Sequence, residues 1–448
     1  MSRYRPPGIK VVILDNPGTA LLPSGLRVPC IVATGLTTKP ITNIEVTKGS
    51  GDTDTITGYL TGEVSSVTKV GDYPDLQGYT ENTDWRQVDH QILWISGQQA
   101  PTTGAKYYVS FRKPKLAAEY DDGVLYTDMQ AVRDDFGDEI IDGILTPISA
   151  AAKLCFDNGA PAIVIIQAET ASDSHLKSAI DAAQQEDVDL MVAPQCCNTS
   201  LNNYVKNHVQ NMSSSEVGRE RVWFRSADGM SDATTTIRAS AVGMKDQLVT
   251  MMAPPAFVST FRDSVAQEDQ DILLPSGYLA AAYAGVVANP NSDAATPLTR
   301  KSLVGVKSLS TFDYKETEKN LLAGDGVTVV ENNKGVIRVR HALTTDTSNV
   351  NKLTQSVVFI KHKIKKECRT LLDSAFIGIK AESNVKSRIA GTVEAFLRQQ
   401  VRDAIVTDWR NIKVVQSTVD PRTFSVSFDI APVYPTEFID VTISLVTS

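Results

Sequence analysis

Ala162-Ile163-Val164-Ile165-Ile166 is an unbroken apolar run, and Val188-Asp189-Leu190-Met191-Val192-Ala193, stopped by Pro194, is nearly a second one. Between them Ser172-Asp173 stands where a helix would be capped, ahead of a segment reaching Glu186. A short continuous apolar run is how a strand covered on both faces reads, and strand–helix–strand order points to a parallel crossover unit. The same alternation extends outward. Ile144 to Phe156 is Ala-rich and helical. Leu201, Tyr204, Val205, His208 and Val209 fall on one helix face. Arg221 to Phe224 and Leu248 to Met252, the latter ahead of Pro254-Pro255, read as further strands. Tyr278 to Ala288 is a small-residue helix able to pack very closely. Residues 121–296 are therefore expected to form an α/β domain around a mostly parallel sheet.

The flanks differ. Residues 28–39 hold an entry strand, Val28 to Ala33. Across residues 40–120 Thr and Gly become dense and short alternating runs appear, among them Ile44–Thr47, Thr55–Thr57, Ile92–Ile95 and Tyr107–Phe111. Turn residues separate them, which predicts an inserted small antiparallel β domain. Residues 297–431 read as α+β. A short helix over Lys315–Leu322 leads into a hairpin turning at Asn332–Gly335. Two long helices follow, one lined by Leu353, Val357, Ile360, Ile364 and Leu371, the other by Val385, Ile389, Val393, Phe396, Leu397 and Ile405. A second hairpin, Ile412–Gln416 with Phe424–Ile430, closes the region. Residues 1–27 and 432–448 are arms. The fold class is thus multidomain α/β (α+β), a mixed sheet with flanking helices plus the β insertion.

The 448 residues suggest about three domains. A net charge of −8 disfavours a general nucleic-acid binder. Cys30, Cys155, Cys196, Cys197 and Cys368 are odd in number and irregularly spaced, as expected for reduced thiols of a cytoplasmically folded chain. The opening Met-Ser-Arg-Tyr-Arg-Pro-Pro-Gly has no apolar leader core, and no run approaches a membrane span.

Catalytic patterns do not assemble. Gly324-Asp325-Gly326 lacks a third glycine and precedes a strand rather than a helix. Ser276 sits in Leu-Pro-Ser-Gly, not in a nucleophile elbow, and no phosphate loop occurs. His90, His175, His208, His341 and His362 are not at metal-ligand spacing from one another or from a cysteine. Glu119–Asp122 and Asp134-Asp135 read as loop charge. The expectation is a non-enzyme with no cofactor and no metal. An α/β hydrolase carrying a β insertion is the alternative from another class.

Two features point to assembly. In the last stretch Ile439, Val441, Ile443 and Leu445 alternate with Asp440, Thr442 and Ser444, the period of a half-buried strand. Pro432 and Pro435 give it an extended lead. Near the start, Pro6-Pro7 precede the strand-like Gly8–Leu14. Such terminal strands pair either within their own subunit or with the edge of another copy. The second feature is the crowd Lys361, Lys363, Lys365, Lys366 and Arg369 on one helix, extended by Arg388, Arg398 and Arg402 on the next. It is either a solvated surface or a face toward an acidic partner.

Several stretches resemble the tail sheath proteins of contractile-tailed bacteriophages and related contractile injection systems. They are Tyr4-Arg5-Pro6-Pro7-Gly8-Ile9-Lys10-Val11, Pro297–Val306, Leu321–Val329 with Gly335–Val339, and the helix pair Val357–Ile405 followed by hairpin and terminal strand. Arg340 stands where the family usually has Trp, and Asp325 departs from its plainer glycine motif. The resemblance covers the first 30 residues and 297–448 best, and the middle in layout only. It implies a structural subunit that polymerises helically around an inner tail tube and contracts to drive the tube through the host envelope. A phage-tail-like bacteriocin or related injection particle is the alternative vehicle. It further implies that Ile9, Val11, Ile13, Ile439, Val441, Ile443 and Leu445 lie on strands donated to neighbours. Ile412, Val414, Phe424, Val426 and Phe428 would form the acceptor hairpin. Lys361, Lys363, Lys365, Lys366, Arg369 and Arg388, or the helix Asn384–Arg402 as a whole, would face the tube. Implied partners are copies of the chain itself, the inner tube protein, and baseplate and tail terminator proteins, with no direct nucleic acid and no stable membrane insertion. The implied location is the virion tail after assembly in the host cytoplasm.

Overall fold

Residues 27–72, 77–309, 314–380, 382, 384–437, 439 and 441–443 are described by the structure, a computed structural model. The chain enters its core directly: β1 (Pro29–Thr34) is almost wholly buried. Next in the core come α1 (Pro147–Asp157), β2 (Ile163–Ala168), α2 (Asp173–Ala182) and β3 (Leu190–Val192). Then follow α3 (Thr199–Met212), β4 (Val222–Arg225), α4 (Thr234–Met244), β5 (Val249–Ala253) and α5 (Ser276–Ala288). The sheet is completed by β6 (Val327–Asn333) and β7 (Val336–Val339). Its order is β7-β6-β5-β4-β3-β1-β2, with Gly123–Tyr126 antiparallel on the outer edge of β2.

Strands β1 to β6 run parallel, in the order 2-1-3-4-5-6. Right-handed crossovers leaving in opposite directions around β1 put α1 and its partner α5 on one face and α2 and α3 on the other. That double cover is why β1, β2 and β3 are apolar without alternation. Helix α5 is buried on every side because it lies between the sheet and α1. Its Gly285 is the contact point: a Cβ there would overlap the carbonyl oxygen of Cys155 in α1. Gly285→Ala is expected to force the two helices apart and to cost about 1–3 kcal/mol. Urea unfolding of the variant against the parent measures it.

Helix boundaries follow local chemistry. Ser172 caps α2, its Oγ accepting from His175 N at 3.4 Å. The helix ends at Ala182, short of Glu186, because the next turn gives its Ala183 and Glu186 carbonyls to the Arg221 guanidinium. The helix expected from Ile144 starts instead at Pro147, a residue suited to the first turn. Ile144-Leu145 pairs back on Ile140-Ile141. Helix α4 and the hairpin Ala256–Arg262 with Asp269–Pro275 had no counterpart in the sequence reading.

The β insertion contains the strands Thr38–Thr47, Lys106–Pro114, Ser66–Asp72 and Gln77–Tyr79 in one sheet, and Thr53–Thr55, Gln91–Trp94 and Trp85–Val88 in another. It has its own core around Trp85, Trp94, Tyr107 and Phe111. Buried Asp54 accepts from Trp94 Nε1 at 2.7 Å and Tyr107 Oη at 3.0 Å. Thr38 pairs with Pro114, so the chain enters and leaves at one place, the geometry that lets an insertion sit on a core without disturbing it. The outer strand Thr38–Thr47 is blunted by Pro40 and a bulge at Ile41–Ile44.

Candidate assembly interface

The C-terminal part builds a separate layer. Helices α6 (Gln355–Phe376) and α7 (Val385–Arg402) carry the hairpin β8 (Val406–Gln416) and β9 (Phe424–Pro432). Cys368, Val385, Ile389, Val393 and Leu397 form a small core between them. Ile412, Val414, Phe424, Val426 and Phe428, the expected acceptor residues, come together on the hairpin face that covers this core, joined by Trp409 and Ile430. Their alternation with exposed Lys413, Ser425, Ser427 and Asp429 is the period of two expected of a one-sided sheet.

Among the described residues β8 and β9 pair only with each other. Each therefore presents an outer row of main-chain N–H and C=O groups. Strand β8 is bulged between Arg410 and Lys413, with Asn411 at φ +58°, whereas β9 is regular through Ala431.

The tail leaves beside this layer. Val433 N donates to Ile405 O at 3.2 Å, and the Tyr434 hydroxyl donates to Asn351 Oδ1. Glu437 Oε2 lies 2.7 Å from His341 Nε2. Beyond these tethers Ile439, Val441 and Ile443 are 79, 76 and 80 % exposed and lie in no regular element. Ile9, Val11, Ile13 and Leu445 lie outside the described residues.

The basic helix α6 turns much of its charge inward. Lys366 pairs with Asp189 and Asp187, Arg369 with Glu220, and Lys363 with Glu367 one turn on. Lys361 reaches Gln247 and the main chain of Asn351. On α7 Arg388 is exposed and lies over the Phe376 ring.

Two further charge clusters brace the core. Arg340, at the position where the sequence departs from the resembled pattern, donates to Glu316 at 2.7 Å, to Glu331 at 3.1 Å and to Asn320 at 2.8 Å. Burial pushes the Glu331 carboxyl up, but the hydrogen bonds from Arg338 and Arg340 and the charge of Lys319 outweigh it and hold it below the usual range. Fully buried Arg221 donates to Ala183 O, Glu186 O and His208 Nε2. His208 can accept only as neutral imidazole. Burial, reinforced by the Arg221 charge, pushes it down to about 4.

In doubly wound sheets ligands sit outside the carboxyl ends of the strands where the order reverses, here between β1 and β3. There Gln195, just after β3, bridges to Thr34 at the end of β1. Gln195 Oε1 accepts from Thr34 N at 2.7 Å, and its Nε2 donates to Thr34 Oγ1 at 2.9 Å. Burial pushes the Cys30 and Cys196 thiols up to about 12, so neither is a thiolate at neutral pH. Among the described residues no His/Cys/Asp/Glu group has metal-site geometry, and no helix is long and apolar enough to cross a membrane.

Comparison with known proteins agrees with this architecture. Residues 169–345 match the phage tail sheath protein central domain. That match falls on the middle of the chain, where the sequence reading expected likeness in layout only. The tail sheath protein of Mycobacterium phage Bxz1 is 24% identical over 334 residues, covering 73% of this chain and 56% of that protein's length. The helical sheath of the anti-feeding prophage in its contracted state shares the fold, with a TM-score of 0.60 at 13% identity over 98% of this chain and 99% of that one. The contracted sheath of the PVC extracellular contractile injection system gives 0.56 at 13% identity, over 73% and 87%. The sheath tail protein of Desulfitobacterium hafniense gives 0.50 at 10% identity, over 93% and 99%.

Proposed function

We propose that this chain, which matches the phage tail sheath central domain over residues 169–345 and shares the fold of contractile injection system sheaths, is the repeating subunit of a contractile sheath. The subunits stack helically around an inner tube in an extended arrangement. On a signal from the baseplate they rotate into a shorter, wider packing that pushes the tube through the host envelope. The work comes from the free-energy difference between two packings, and the subunit performs no reaction.

The observation that carries this reading is an open two-stranded hairpin beside an exposed apolar tail. Among the described residues the outer edges of β8 and β9 carry no further strand, and Ile439, Val441 and Ile443 supply alternating apolar side chains that are exposed. Donation of residues 438–446 to a neighbour's hairpin, with Ile9–Leu14 from another copy, satisfies both. Head-to-tail exchange of this kind generates a helix when the rotation between copies does not close a ring. Each main-chain hydrogen bond contributes about 0.5–1.5 kcal/mol, and each newly buried Ile or Val about 1.5–3 kcal/mol. The prolines around 432–435 and the tethers at Asn351 and His341 set the direction in which the arm leaves.

Partners on this reading are other copies of the chain, the inner tube, the baseplate and the tail terminator, in a virion tail assembled in the host cytoplasm. The tube-facing candidate is α7 rather than α6, because Lys366 and Arg369 reach across to Asp189 and Glu220 of the body, whereas on α7 Arg388, Arg398 and Arg402 are exposed and, among the described residues, Arg398 pairs only within its own helix, with Glu394. The shared fold with anti-feeding prophage and PVC sheaths favours, as a second reading, the sheath of a tail-derived injection particle working by the same mechanics. Electron microscopy of the purified chain tests the reading. Hollow tubes with a helical repeat are expected, and a chain that stays monomeric at every concentration and salt condition contradicts it.

A further inference from the structure

Helix α6 carries two kinds of cation. Lys363, Lys366 and Arg369 are each matched to a carboxylate, Glu367, Asp189 and Glu220. Around Lys361, His362 and Lys365 the matching stops. Lys361 Nζ reaches only neutral acceptors, Gln247 Oε1 and the Asn351 carbonyl. Among the described residues neither His362 nor Lys365 makes an ion pair. These three side chains line a cavity of about 240 Å³, shared with Gln210 and Ser213 at the end of α3 and with the turn Asp246–Leu248 before β5. That is several times the roughly 30 Å³ a water molecule occupies in the liquid. The one carboxylate in the wall, Asp246, is 8% exposed. It spends one oxygen on Leu248 N at 2.8 Å and the other on Gln210 Nε2.

We propose that this cavity binds a small oxyanion of the phosphate class, held by Lys361 and Lys365. The electrostatics around the cavity agree. Burial, and then the like charges of Lys365 and Lys352, push the Lys361 ammonium down to about 8. Burial, and then Lys365, Lys366 and Lys361, push His362 down to about 3. A divalent anion relieves this crowding and gives the two lysines charge-assisted partners. Since the walls come from α3, the turn before β5 and α6, the anion also fastens the C-terminal layer to the parallel-sheet body. The site involves neither the hairpin edges nor the arms, so it stands or falls separately from the assembly reading.

Thermal melting of the full chain, below its assembly concentration and at constant ionic strength, tests the site with inorganic phosphate as the probe. The melting temperature is expected to rise and saturate as phosphate replaces chloride. In the wild type the ring resonances of His362 are expected to shift with the same midpoint. Lys365 is exposed, so Lys365→Gln should fold, and its midpoint is expected to move up at least about tenfold, the loss of one charge-assisted contact. No rise at all overturns the site. So does a rise that never saturates or is unchanged in Lys365→Gln, since phosphate also stabilises proteins by general exclusion from their surfaces. An equal saturable rise with acetate overturns the phosphate assignment in favour of a carboxylate site.

Discussion

Deleting residues 438–448 is expected to give a chain that melts as the full one does and forms no tubes. Folding should be untouched because, among the described residues, the last anchored contacts are Val433, Tyr434 and Glu437, all retained. The apolar residues removed are 76 to 80 % exposed where they are described, so no core is opened. Assembly loses the burial of Ile439, Val441 and Ile443, at about 1.5–3 kcal/mol each, together with a strand's worth of main-chain hydrogen bonds. Even half of that raises the concentration needed for assembly more than about a hundredfold. Val441→Asp, one charge in the donated strand, should give a milder form of the same defect. Deleting residues 1–15 should also leave a folded, non-assembling chain. Circular dichroism reads the fold, and light scattering with electron microscopy reads the tubes. Tubes from either truncated chain would show that arm exchange is not what links the subunits.

The second large effect is on stability. Arg221→Ala is expected to cost about 3–5 kcal/mol in urea unfolding. It removes a fully buried side chain and leaves the Ala183 and Glu186 carbonyls and His208 Nε2 without their donor. The same contact makes the fold acid-sensitive. His208 is held at about 4 in the folded chain, below the 6.5 it has when unfolded. The unfolded state therefore binds the proton first. Stability from neutral His208 is complete above pH 6.5 and is lost as pH falls from 6.5 toward 4, up to about 3 kcal/mol in all. His362, pushed down to about 3, adds a loss that begins in the same window and runs on toward pH 3. His208→Gln should consequently flatten the pH dependence between 6.5 and 4 without abolishing it. An unchanged slope would show that Arg221 does not depend on a neutral partner there.

Most of the core could be read along the chain because burial on two faces leaves a local record. Ala162–Ile166 and Val188–Ala193 are apolar without alternation, and they became β2 and β3 on either side of β1. The helical period of Val357, Ile360 and Ile364, and of Val385, Ile389, Val393 and Leu397, marked α6 and α7 and the faces they bury. Alternation at Ile412–Gln416 and Phe424–Ile430 marked the hairpin, which among the described residues pairs only with itself. Helix α4 escaped because Thr234-Thr235-Thr236 is a poor helix start by propensity and only Ile237, Ala241 and Met244 of it are buried.

By itself the sequence determined most of the core strands and helices and which side of each is apolar, since those are set by residue spacing within a few turns. Strand order, the Gln195–Thr34 bridge, and the fate of each charge were decided only by the tertiary structure. Lys366 and Asp189 are 177 positions apart, and Arg369 and Glu220 are 149 apart. Spacing along a chain carries no information about such pairs, because an ion pair depends on distance through space. It took the folded body to show which lysines of α6 are neutralised, which are left facing a cavity, and that among the described residues the hairpin carries no third strand.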